Sequence, residues 1–553
     1  MSKYSDENHR WLTRRGFLKG AAVGAISVGT LASTSWLYGC SDSPDSEPTE
    51  SGESSGPVTG GELTYALATK PTTLDPPRAG MIVDHRVLFS LFERLFHWVE
   101  DEGGGKLEPW LATEWELDKD GKSYVLKLRE GVSFHDGTPF NAEAVKYNIE
   151  HFLDPATATV SAISLQPYTS ADVLDEYTIR LNLESPSSVF LTSLASIFIL
   201  SPTAAKAAGD QFGTNPVGTG PFIFDSWDED IIVKRNPDYT WGPDVVSNQG
   251  PAYLDQITFK VVPEEATRIG SVQSEQIHLA ETIPPQNYAE LESDPSLQVF
   301  KKAAEGLAYT LFFVVSRAPY SELKVRQAIV AGVDVKTIID TIYLGVYEQA
   351  FSPFTKGFSY YANSLDGVNR YDPEKAKRLL DDAGWKVGAD GIREKDGKRL
   401  TLDYGDSSPN REKRNDVAFL IQNQLKEIGV EVKIDITTDL GNRLIARNYD
   451  FWGNSIAIIE PILGVEACYG SGKNYSDFND PQIDELLAQI KLELDLDKRT
   501  ELLIELQERI IDQALIIPIY DFYYTVLAAS PVKDFKLFPL GFPNYLDVYL
   551  REE

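Results

Sequence analysis

Along GELTYALA (61–68) apolar and polar positions alternate with the period of a strand. The alternation is strict in SYVLKLR (123–129), which follows EWELDKDGK, so two strands joined by a turn at 118–121 are expected. HRVLFSLFERLFHWV (85–99) instead places its apolar residues at helical spacing. TPFNAEAVKYNIEHFL (138–153) reads as a helix whose start is capped near Asn141, and DEYTIRLNLES (175–185) as another strand. Further on, SELKVRQAIVAGVDVKTIIDTIYLG (321–345), DPEKAKRLLDDAG (372–384) and RNDVAFLIQNQLKEIG (414–429) are amphipathic helices, the last leading into the strand VEVKIDI (430–436). SDFNDPQIDELLAQIKLEL (476–494) and DKRTELLIELQERIIDQA (497–514) add two helices before the strand-like LIIPIYDFYYTVLA (515–528). Strands dominate the front half, and helix and strand alternate in the back half. An α/β architecture with more than one lobe is expected.

The first 39 residues follow a different pattern. A basic region with Arg14 and Arg15 in TRRGFLKG precedes an uncharged Ala-, Gly-, Ser- and Thr-rich run that ends at Cys40. That layout is an export signal. TRRGFLKG resembles the twin-arginine translocation motif and LYGC resembles the lipobox of bacterial lipoproteins, which implies cleavage before Cys40 and its lipidation. A membrane-spanning anchor is the alternative for so long an uncharged run, but its small residues are not those of a spanning helix. Residues 41–60, SDSPDSEPTESGESSGPVTG, hold too little apolar surface to order themselves and form a tether of roughly 25 Å root-mean-square length.

Charge narrows the partners. The chain carries a net −31, and the leader, with five basic and two acidic residues, leaves the remainder still more negative. Such a field repels nucleic acid and anionic lipid heads, so no nucleic-acid partner is expected. With Cys40 lipidated, Cys468 has no partner for a disulfide and is expected to be a small buried residue.

Catalytic motifs fail on inspection. GSGKN at 470–474 lacks the earlier glycine of a phosphate loop, where Ala467 stands, and has Asn474 where Ser or Thr is required. GTGPF at 218–222 lacks the third glycine of a dinucleotide loop. No serine lies in a G-x-S-x-G elbow. The six histidines show no zinc spacing, and the calcium-like start at Asp118 meets Arg129 at its twelfth position. No metal and no cofactor are expected. FHDGTPF (134–140) places His135 beside Asp136, but Asp-Gly-Thr-Pro between strand and helix is turn chemistry, which outweighs an acid–base dyad.

ATEWELDKDGKSYVLKLREGVSFHDGTPFNAEAV (112–145) resembles the signature of the large extracellular solute-binding proteins that serve peptide and nickel ABC importers. TTLDPPRAG, NPVGTGPFIF, VKRNPDYTWG, VRQAIVAGVD, YDPEKAKRLLDDAGW and LIIPIYD agree with it, so the resemblance runs over most of the chain from residue 61. It implies a two-lobed periplasmic-binding-protein fold of type II: lobe I at 61–305 with a domain inserted at about 95–210, lobe II at 306–515, and a return to lobe I at 516–553. It further implies a monomer in the cell envelope, facing the periplasm or the outside and held to the membrane by lipid alone. Such a protein does no chemistry and hands a small peptide to an ABC permease with its ATPase subunits. In this family a carboxylate before a proline marks one cleft segment, here YDFWGNSIAIIEPILGVEACYG (449–470), which puts Glu460 in the place that would hold a peptide ammonium. A pair with a nearby Lys or Arg is the alternative for Glu460. Some peptide binders carry an aspartate three residues earlier, where Ala457 stands. Nickel binders have aromatics at the positions of Ser455 and Ile459. Tyr469, Asn474 and Tyr475 are the further lining candidates. A nickel chelate or an oligosaccharide is the alternative ligand, and an exported carboxylate-dependent hydrolase the alternative from another class.

Overall fold

The computed structural model describes residues 56–551 except 102–103, 158–164, 359, 369, 409 and 473. The leader, Arg14, Arg15, Cys40 and most of the tether lie outside the described residues.

Two mixed sheets organise the rest. The first runs in the order Leu297–Ala303, Tyr523–Ala529, Leu279–Glu281, Glu62–Leu67, Gln256–Val261, Ile231–Arg235, Phe222–Trp227. Glu62–Leu67 is parallel to both of its neighbours, and the other pairs are antiparallel. The second sheet runs Glu348–Gln349, Ile516–Asp521, Gly306–Phe313, Phe451–Ala457, Thr401–Ser407, Glu431–Thr437. Its strand Gly306–Phe313 is buried throughout, as a central strand covered on both faces must be. Tyr309, Leu311 and Phe313 enter one core and Leu307 and Phe312 the other. Between strands Glu62–Leu67 and Phe222–Trp227 of the first sheet, the chain builds a separate antiparallel sheet: Ala112–Leu117, Ser123–Leu128, Thr178–Leu183, Tyr168–Asp175. Helix Ala142–Leu153 lies against it, capped by Asn141, whose Oδ1 accepts the amide of Ala144 at 3.1 Å.

The chain crosses between the two main sheets at Ala304–Glu305 and again at Phe522. The second crossing corrects the expected boundary at 516. Ile516–Asp521 pairs with Gly306–Phe313 in the second sheet, and only Tyr523–Ala529 returns to the first. The apolar run 515–528 hides this break because both strands are buried, so their hydrophobicity is continuous across it. Gly306 sits at the first crossing with φ +148°, and a Cβ there would lie 1.9 Å from the carbonyl oxygen of Ile456. Only glycine lets the two backbones approach so closely.

Other expectations shift in the same local way. The helix foreseen over 85–99 is Ile82–Leu91 followed by a strand, Phe96–Asp101. Ile199 and Leu111 donate to the carbonyls of Glu93 and Arg94, and Ala112 to that of Leu95, so tertiary partners capture the backbone that a helix would have used. Residues 321–345 form Leu323–Ala331 and then Val335–Ile338, where Asp334 caps a fresh start. His135 and Asp136 part company. The imidazole bonds the backbone of Gly218 and Gly220, while Asp136 takes the Ser201 hydroxyl at 2.6 Å.

Candidate functional site

The region beside the crossings gathers polar groups that a core ordinarily excludes. Strand Thr401–Ser407 ends in a loop that delivers Glu412 and Lys413 in left-handed backbone, φ 53° and 58°. For non-glycine residues this costs about 1–2 kcal/mol each, and a bonded network holds it. Glu412 Oε2 accepts from Arg414 Nε at 3.1 Å and Nη2 at 2.7 Å, and from the Tyr520 hydroxyl at 2.9 Å. The Arg414 guanidinium lies 4.4 Å from the ring centre of Tyr309, which stacks on Tyr520, and it donates to Ser455 Oγ at 2.7 Å. Burial works to raise the Glu412 carboxyl, but Arg414 and Arg411 outweigh it and hold the group below its usual range. Asp521, one residue before the second crossing, accepts the Lys356 amide at 3.2 Å on Oδ2. Its Oδ1 is buried without a partner among the described residues. Burial lifts this carboxyl to about 7.

Further contacts join parts of the chain on either side of the crossings. Lys413 pairs with Glu265 at 3.0 Å, Trp98 donates to Glu305 at 2.7 Å, and the Ser188 hydroxyl donates to the carbonyl of Ile490 at 2.9 Å. Ile459, from the second lobe, is buried in the same apolar cluster as Phe89, Phe198 and Phe542 of the first. A cavity of about 370 Å³ on the inserted domain, beside Asn141, Tyr147 and Lys206, belongs to none of this.

The residues singled out from the sequence occupy different settings. Glu460 caps helix Pro461–Tyr469, accepting the Ile462 amide at 3.2 Å and Arg499 Nη2 at 2.6 Å, with both side chains 4 % exposed. Burial raises its carboxyl, and Arg499 only partly offsets that. The pair with a basic residue, set beside the ligand role above, is therefore present. Tyr469 is buried between Phe312 and Phe478. Asn474 spends both amide hydrogens on the carbonyls of Gly470 and Phe478 and accepts the amides of Ser476 and Phe478, so its hydrogen-bonding capacity is filled within its own loop. Tyr475 is 41 % exposed, edge-on to Trp452. Cys468 is a free, buried thiol pushed up to about 12 by burial.

Glu412, Arg414 and Asp521 were not picked out from sequence. The signal for the first two was the charge-dense NREKR at 410–414, directly after a strand and at a helix start. Asp521 sits inside an apolar run and gives none.

Comparison with known proteins places this geometry. The family described as bacterial extracellular solute-binding proteins, family 5, matches residues 106–464. The glutathione-binding protein GsiB of Escherichia coli O1:K1 is 27 % identical over 478 residues, covering 83 % of this chain and 88 % of that protein. Among solved structures, the periplasmic binding protein DppA of Helicobacter pylori in complex with the peptide STSA superposes with a TM-score of 0.76 at 26 % identity, over 90 % of this chain and 99 % of that one. NikA of Brucella suis in complex with Fe(III)-EDTA gives 0.78 at 25 % identity, over 89 % and 100 %.

Proposed function

The chain belongs to the bacterial extracellular solute-binding proteins of family 5 and is a binding protein rather than an enzyme; from that premise we propose that it captures short peptides between its lobes and delivers them to an ABC permease. The observation that carries the reading is the pair of chain crossings at 304–305 and 522, beside which a buried charged network meets the segment from Ser455 to apolar Ile459. Two crossings make a hinge, and a guest that contacts both lobes selects the closed arrangement. A wall of mixed character suits a guest with a polar backbone and apolar side chains. The likeness to proteins described as binding glutathione and the peptide STSA supports the same class.

In this reading Glu460 serves the cleft by ordering the Ala457–Ile459 segment before it, Tyr475 lines the approach, and Tyr469 and Asn474 brace the wall from within. The protein is a monomer in the cell envelope, exported through Arg14 and Arg15 and held by lipid on Cys40. Among the described residues no helix is long and apolar enough to cross a membrane. Cys40→Ala is expected to move the protein from the membrane fraction to the soluble one, and retention with the membrane would refute the lipid anchor.

The ligand class is tested with a pool of di- and tripeptides. Peptides recovered intact by native mass spectrometry, with a stabilisation of about 2.7 kcal/mol at a hundredfold excess over Kd, are the expected result. Cleaved products would indicate a hydrolase. Stabilisation by a nickel–histidine chelate or an oligosaccharide, with none by peptides, would replace the peptide reading.

A further inference from the structure

Arg94 lies at the end of the first-lobe helix Ile82–Leu91 and is 6 % exposed. Its guanidinium is enclosed by the rings of Phe198, Phe89 and Phe542, at 4.3, 4.5 and 5.3 Å from their centres. Among the described residues no carboxylate pairs with it, and its Nε is buried without a hydrogen-bond partner. The adjacent Glu93 points elsewhere, bonded to Trp110, Tyr239 and Trp241. Its charge acts on His85 and His97, each with one ring nitrogen lacking a partner among the described residues. Both are held neutral, at about 3, first by burial and then by Arg94 itself. Neither supplies a countercharge.

A lone buried cation of this kind is costly even after its surroundings relax. Aromatic faces return only part of that cost. The usual remedy is an anion. Three features describe which one. A guanidinium offers a planar fork that matches a carboxylate. Three phenyl rings around the guanidinium favour a small, weakly hydrated ion over a large hydrated one. A net −31 repels multiply charged anions more strongly than single ones. The place is close to the first crossing, since Trp98, four residues further along the chain, donates to Glu305 at 2.7 Å.

We propose that Arg94 is the anion-binding centre of the interlobe site and takes a single carboxylate, from the guest's terminus or side chain or from a free small carboxylate. The identity of the guest as a peptide rests on the function proposed above, and the centre itself does not. The test compares the full-length protein with Arg94→Met, which keeps the apolar stem, and Arg94→Lys, which keeps charge without the fork. The probes are the peptide Ala-Leu-Ala as free acid and as C-terminal amide, Ala-Glu-Ala amide, and sodium formate alone, read by calorimetry and thermal shift. The wild type is expected to bind a carboxylate-bearing peptide roughly 30-fold tighter than the neutral amide, Arg94→Lys to keep part of that preference, and Arg94→Met to lose it. Stabilisation by formate that vanishes in Arg94→Met, without any preference among the peptides, keeps the centre, assigns it a free anion and overturns its role in holding the guest. A preference that survives in Arg94→Met overturns the centre and leaves peptide binding standing. Should Arg94→Met fail to fold, an undiminished preference in Arg94→Lys overturns it equally, as does a wild type indifferent to every carboxylate probe.

Discussion

Glu460→Ala is expected to lower the stability of the protein by about 3–5 kcal/mol, because it leaves the Arg499 guanidinium buried with no countercharge. The loss should come from the ion pair and the helix cap together, since the same carboxylate also takes the Ile462 amide. A second change separates structure from ligand contact. In Glu460→Ala/Arg499→Met the stranded charge is gone, and most of the stability should return. Peptide affinity measured in that double variant then reports on Glu460 alone. Near-wild-type affinity fits a residue that orders the wall. An affinity still reduced by 2 kcal/mol or more would mean that the carboxylate touches the guest's ammonium. Equal stability of Glu460→Ala and wild type in urea would contradict the buried pair.

Asp521→Asn should reveal itself through pH. The folded carboxyl sits at about 7 because burial disfavours its charge. In the unfolded chain the same group titrates near its ordinary value of roughly 4. Between these values the folded state holds the proton and the unfolded state does not, so stability falls as pH rises through the window and levels off above it. The amide carries no such cost. The variant is expected to lie close to wild type at pH 5 and to gain on it by about 2–3 kcal/mol by pH 8. Histidines held neutral by burial impose their own pH dependence, but they are common to both proteins and cancel in the difference. A constant gap from pH 5 to 8 would show that Asp521 ionises in the fold as freely as in water.

Strands with one covered face, such as Ser123–Leu128, were legible because alternation is a direct image of burial. Helices with strong local caps, such as Pro373–Asp382 behind Asp372, were legible for the same kind of reason. What escaped was decided by partners far along the chain. The helix over 85–99 stops at Leu91 because Leu111, Ala112 and Ile199 claim the following carbonyls. The break at Phe522 lies in an unbroken apolar run, and only the pairing of its two halves with different sheets exposes it. At the site, a carboxylate before proline drew attention to Glu460, yet its partner stands 39 residues later and carries no local mark. Arg94 was hidden inside LFERLFHW, where the helical spacing of the apolar residues carries no mark of a buried cation.

The strand Tyr523–Ala529 lies between Leu279–Glu281 and Leu297–Ala303, and Phe535, Phe542, Tyr545 and Val548 fill the core beneath. A ribosome therefore finishes the second lobe before it releases the piece that closes the first. Until residues 523–548 emerge, the part of the translation product before residue 304 has a gap in its sheet and an unfilled interior. Truncations near the C-terminus should consequently damage the N-terminal half more than the half they adjoin.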